Sequence, residues 1–191
     1  MRWIRGGKSY MTKISDLPNF PYKSFEQLQE AEKTGKITIG VDKTVAREWM
    51  VKGKNSPFFW KTVGFIMHLI PHMLSLGIIV YSVIARKWLL FLLIIPVEFI
   101  AIILIPWIIV IGVALYLILT GQFALMLFTI AIISLAWLNV KILYNLSSNI
   151  MRTTALNSEE FFSSLYKSRC LTILFNDTGD VLGAEYPKGE S

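Results

Sequence analysis

Charge is almost missing from the middle of this chain. Between Val63 and Val140 the only ionised side chains are Arg86, Lys87 and Glu98. A soluble domain of 191 residues has no use for an apolar segment of that length. About 20 apolar residues cross a bilayer's hydrocarbon as a helix, so the segment holds three or four crossings. Cysteine is nearly absent too. Cys170 is the only one, which excludes an intrachain disulfide and a cysteine-based zinc site. The first 30 residues contain no apolar run of signal-peptide length, so the first span is expected to serve as its own insertion signal.

What is present agrees with a membrane reading. Hydrophobic residues make up 54% of the chain, charged residues 17%, and the mean hydropathy is +0.54. The net charge of +6 is concentrated at one end. Residues 1–62 carry twelve Lys or Arg against six acids, whereas residues 141–191 carry five against six. A basic segment abutting the first span belongs in the cytoplasm, beside anionic headgroups. That placement accounts for a pI near 9.4 without a nucleic-acid partner.

Residues 1–56 read as a cytoplasmic N-terminal segment of two short helices and a strand. Ser24 and Gln27 form a capping box, and Gly35 ends the helix it opens. Lys36 to Val41 alternates as a strand does. Asp42 caps a second helix that Gly53 stops. Arg2-Trp3-Ile4-Arg5 reads as an interfacial anchor.

Residues 57–146 read as the transmembrane bundle, with helices at 57–84, 88–105, 106–119 and 123–144. Ser56-Pro57 is the start signal, a capping serine before proline at the first helical position. Arg86-Lys87-Trp88 forms an interfacial turn. Residues 88–119 are apolar except for Glu98 and contain Pro96 and Pro106. One helix over these 32 residues reaches about 48 Å, against roughly 30 Å of hydrocarbon. The alternatives are a long kinked helix or a hairpin turning near Ile105-Pro106. Lys141, Arg152, Lys167 and Arg169 favour a cytoplasmic C-terminus, hence an even number of crossings and the hairpin.

Residues 147–191 read as a cytoplasmic C-terminal segment. It has a helix over Ser158–Lys167 and a β-hairpin of Leu171–Asn176 and Val181–Tyr186, turning at Asp177-Thr178-Gly179-Asp180. An isolated hairpin is marginal in water, so the strand at Lys36–Val41 is expected to join it and the helix to cover it. The fold class is thus an all-α polytopic membrane protein of three or four transmembrane helices. A small α/β cytoplasmic cap is formed by its N- and C-terminal segments. Its expected setting is a bacterial inner membrane or an equivalent one, with both termini in the cytoplasm.

Polar residues inside a span are functional candidates. His68 and His72 lie one helical turn apart, with Ser75 and Ser82 continuing their face. Two histidines at this spacing suit metal binding or proton relay, though in bundles such residues commonly just hydrogen-bond to neighbouring helices. Counted from the Arg86-Lys87 turn, His72 sits about 18 Å deep and Glu98 about 15 Å deep. A buried His72–Glu98 pair with His68 a turn away is therefore expected. No continuous polar stripe accompanies it, so one copy does not form an open pore.

Other near-motifs fail. Asp177-Thr178-Gly179 spells the aspartic-protease triplet once only, where a hairpin turn wants those residues. Gly35 to Gly40 has phosphate-loop glycine spacing but continues into Val41-Asp42. No catalytic set and no cofactor signature are found. The expected role is non-catalytic: a small structural or assembly subunit of a larger membrane complex. Its partners are the lipid bilayer, other membrane proteins, and copies of itself as a homo-oligomer. The rival is an oligomeric ion channel, or a proton- or metal-coupled transporter, using His68, His72 and Glu98. In outline the paired hairpins with cytoplasmic ends are similar to membrane-shaping hairpin proteins and to immunity-type inner-membrane proteins. No motif is shared and no residue role transfers.

Overall fold

A computed structural model of the chain describes residues 13–17, 20–53, 56–99 and 105–183. These are mostly helical, with one three-stranded sheet, and fall into two compact units: Met1–Trp49 with Ser147–Ser191, and Met50–Leu146. The anchor expected at Arg2–Arg5 and the end of the second hairpin strand, residues 184–186, lie outside the described residues.

The first unit is α/β, and local chemistry opens each of its short helices. α1 (Phe25–Lys33) starts where Ser24 Oγ accepts from Gln27 N at 3.3 Å and Gln27 Oε1 accepts from Lys23 N at 3.2 Å. β1 (Ile37–Val41) follows. Asp42 Oδ1 then accepts from Thr44 N and Val45 N at 2.8 and 3.0 Å, opening α2 (Lys43–Lys52). α7 (Glu159–Lys167) opens on Ser158, whose hydroxyl accepts from Phe161 N at 3.3 Å.

β2 (Leu171–Phe175) pairs antiparallel with both β1 and β3 (Val181–Gly183), so an N-terminal strand completes the C-terminal hairpin. Ile37, Ile39, Leu171 and Ile173 are buried, so alternation gives the sheet one apolar face. Phe162 is fully buried, with the Phe20 and Phe25 rings centred 6.0 and 6.1 Å away. Glu32 pairs with Arg152, and Ile14 N donates to Glu159 Oε1 at 2.7 Å.

Cys170 belongs to this core, only 4% exposed. Burial first, then the nearby Asp42 carboxylate, pushes its thiol from 9.0 up to about 11. An unfolded chain releases this proton at lower pH than the folded one, so it binds fewer protons between the two values. The thiol's contribution is therefore present below pH 9 and lost as pH rises towards 11, at most roughly 3 kcal/mol in all. Tyr22 and Tyr166, also raised by burial, add to the alkaline loss. Cys170→Ala should remove the first part of that loss in an alkaline titration of unit stability. A wild-type loss that persists unchanged in the variant excludes this assignment.

Four helices end by one rule. A left-handed residue follows the last turn, and the next N–H reaches back five residues to a carbonyl. Glycine takes that position at Gly35 and Gly121, with φ of 71° and 70°. Arginine takes it at Arg86 and Arg169, with φ of 54° and 56°. A Cβ in this region costs roughly 1–2 kcal/mol, partly offset by glycine's greater unfolded-state freedom. Arg169→Gly is accordingly expected to stabilise the α/β unit by about 0.5–1 kcal/mol, read as a higher denaturation midpoint.

The second unit is helical. α3 (Phe58–Ile84) contains Pro71. A 3-10 helix, Trp88–Leu93, leads into α4 (Ile94–Phe99), and α5 (Ile105–Leu119) packs against both. The core gathers Ile78, Leu90, Leu93, Val97, Val113, Leu117, Ile133 and Ala136.

Two expectations are corrected. The last apolar helix, expected at 123–144, is α6 (Phe123–Leu156). Apolar residues thin out after Leu143, but no glycine or proline stands between Gly121 and Gly179 to stop the helix. Ser147, Met151 and Ala155, four residues apart, are buried and keep one face occupied. Ser56 does not cap α3. Its hydroxyl donates to Met50 O at 3.0 Å, and Pro57 takes the cap position without a side-chain bond.

Candidate functional site

The polar groups of the helical unit meet where α3 faces α4. His72 Nδ1–H donates to Glu98 Oε2 at 2.8 Å, and Ser75 Oγ–H donates to Glu98 Oε1 at 2.7 Å. Both carboxylate oxygens are thus engaged from successive positions on one helix face. His68 stands one turn earlier, its ring centre 5.6 Å from that of His72 and its plane nearly perpendicular. Ser82 is separate, its hydroxyl turned back onto Ile78 O at 2.6 Å.

The exposure of the site is uneven. Ser75 is buried, the Glu98 side chain is 21% exposed and that of His72 is 54% exposed. His72 therefore lies at the outer surface of the unit, joined to it through Glu98. A carboxylate that accepts from two donors is less costly to take out of water than one left without partners. Among the described residues no three His, Cys, Asp or Glu come together to hold a metal.

A second polar contact involves Pro71, which sequence analysis did not single out. Proline has no N–H, so the carbonyl four residues back, Met67 O, loses its helical partner. Asn139 Nδ2 on α6 donates to that carbonyl at 2.9 Å, and Asn139 is buried. The signal was readable in principle as a proline in one span with an asparagine inside the apolar part of a later one. Thr129, also buried on α6, bonds to its own helix at Leu125 O.

No protein-family model, curated protein or solved structure matches the chain.

The other motifs serve as structure. Asp177-Thr178-Gly179 is a turn, with Thr178 N on Asp177 Oδ1 at 2.9 Å and Gly179 at φ 75°. Gly35 ends α1 and Gly40 lies inside β1, so the two glycines do not share a loop. In the α/β unit, Ser163 Oγ is fully buried with no hydrogen-bond partner among the described residues. Ser163→Ala is expected to stabilise that unit by about 1 kcal/mol in denaturant melts. A loss of stability would show instead that the hydroxyl is satisfied.

Proposed function

We propose that this chain is a multi-pass integral membrane protein that acts, without catalysis, as a small structural or assembly subunit of a larger membrane complex. The observation that carries the membrane part is the exposure of its two long apolar helices. The most apolar windows of α3 and α6 are only 17% and 28% buried. The core helix of a soluble protein is mostly buried. On α3 alone, twelve large apolar side chains are exposed, among them Phe65, Met73 and Leu76. At about 2 kcal/mol each, leaving these in water costs more than the 5–15 kcal/mol of a whole domain's stability.

Strand pairing is what supports the proposed sidedness. β1 precedes α3 and β2 follows α6, yet the two exchange a full ladder. That pairing supports a shared compartment for both segments and, in this reading, an even number of crossings. The basic residues before α3 put that compartment on the cytoplasmic side. Cys170 is a poor reporter of this, being buried with a raised thiol. The better probe is Thr178→Cys in a Cys170→Ala background, since Thr178 lies in an exposed turn. An impermeant maleimide should label it only after cells are permeabilised; labelling in intact cells defeats the topology.

The subunit role rests on apolar faces that lipid and protein both satisfy, beside the small polar cluster around Glu98. Crosslinking in native membranes should trap the chain with other membrane proteins or with itself. Recovery in mild detergent as a lone monomer at native abundance argues against the role. The rival transporter reading has the His72–Glu98–Ser75 cluster in its favour. It requires ion or proton flux in liposomes that His72→Ala abolishes.

A further inference from the structure

We propose that the His68–His72 face of α3 is a binding site for a divalent transition metal of the zinc class, closed by a second copy of this chain. The first support is the hydrogen bond that orients the His72 ring. The Nδ1 proton of His72 is held by Glu98 at 2.8 Å, leaving Nε2 as the ring's electron-pair donor. An imidazole oriented by a carboxylate through its other nitrogen is the standard arrangement of a metal-ligating histidine. Ser75 fixes the carboxylate in turn, at 2.7 Å.

The second support is spacing. With Zn–N bonds of about 2.0–2.1 Å, two imidazoles on one ion have ring centres no more than roughly 6.5 Å apart. The His68 and His72 rings, four residues apart on one helix, are centred 5.6 Å apart. Imidazole pairs of this kind select zinc, copper or nickel over the hard cations.

Ligand number and charge point to a second copy as the occupant. One chain supplies two imidazoles, whereas a closed tetrahedral site takes four ligands, and the described residues bring no third metal-binding side chain to the pair. One chain also supplies one carboxylate. Two chains supply four imidazoles and two Glu98 carboxylates, which coordinate a divalent ion and cancel its charge, as a hydrocarbon setting demands. His72 lies 14 residues from Phe58 and 12 from Ile84, close to the middle of α3. A two-fold axis along the membrane normal then brings both histidine pairs to the same depth. The half-exposed His72 ring is open to such a partner.

The inference rests on α3 lying in the membrane and not on the subunit role. Its failure leaves the topology and crosslinking results untouched. The test uses the full chain without a histidine tag, purified in mild detergent, stripped with chelator and titrated with Zn²⁺ or with Co²⁺ as a visible-absorption probe. We expect one ion per two chains, a tetrahedral Co²⁺ spectrum, and a rise to dimer mass by light scattering. His72→Ala should abolish all three. Glu98→Gln should keep the stoichiometry but weaken metal affinity by about 10–100-fold. Should His72→Ala fail to fold, His68→Asn and the wild-type stoichiometry decide. No binding, one ion per chain, metal that leaves the chain monomeric, or binding that survives loss of either histidine overturns the proposal.

Discussion

Phe162→Ala is expected to unfold the α/β unit more readily than any other single truncation. The ring is fully buried, with the rings of Phe20, Phe25 and Tyr166 centred 6.0, 6.1 and 6.5 Å away. It comes from α7, while Phe20 and Phe25 come from the other end of the chain, so its removal weakens the tie between the termini. Loss of a buried aromatic costs about 3–5 kcal/mol, transfer and cavity terms together. Cys170 reports the result because its thiol reacts only when the core opens. At 1.36 kcal/mol per tenfold, its alkylation in native buffer should speed up by roughly two to four orders of magnitude. An increase below tenfold would mean that the site collapses around the alanine.

Asn139→Leu should have the largest effect in the helical unit, for a backbone reason. Pro71 leaves Met67 O without its helical donor, and Asn139 Nδ2 at 2.9 Å replaces it. In hydrocarbon no water substitutes, and an unsatisfied carbonyl costs several kcal/mol, so a loss of about 3 kcal/mol is expected. The decisive arm is the double variant. Pro71→Ala restores an N–H that can donate to Met67 O within the helix, so Asn139→Leu should then be nearly neutral. Thermal unfolding in detergent of wild type, both single variants and the double variant gives the coupling directly. An equal cost of Asn139→Leu with and without Pro71 would refute the account.

The candidate site was legible as far as residue counting reaches. Depth from the Arg86-Lys87 turn places His72 and Glu98 at one level, and in the structure they lie 2.8 Å apart. Counting works because both helical segments leave the same turn, and the 3-10 start of the second, at about 2.0 Å per residue, shifts the level of Glu98 by only a few ångströms. It gives no rotation about the helix axis, so Ser75 as the second donor to Glu98, and the half-exposed His72 ring, needed coordinates. The partner of Asn139 was hidden for a related reason. Proline frees a carbonyl four residues back, but which helix supplies the donor depends on who packs against whom.

The sequence by itself determined whatever a window of a few residues encodes. Ser24, Asp42 and Ser158 open helices because a side-chain oxygen meets N–H groups two or three positions on. Asp177 to Asp180 turns the hairpin, and the long uncharged run fixes two helices long and apolar enough to cross a membrane. Tertiary structure decided what depends on distant partners. α6 outruns its apolar stretch because Ser147, Met151 and Ala155 are buried, and Ser56 abandons its cap for Met50 O. Cys170 vanishes into a core built from both chain ends. Local hydrogen bonds are set by spacing along the chain; burial is set by which surfaces meet, and no short window contains both.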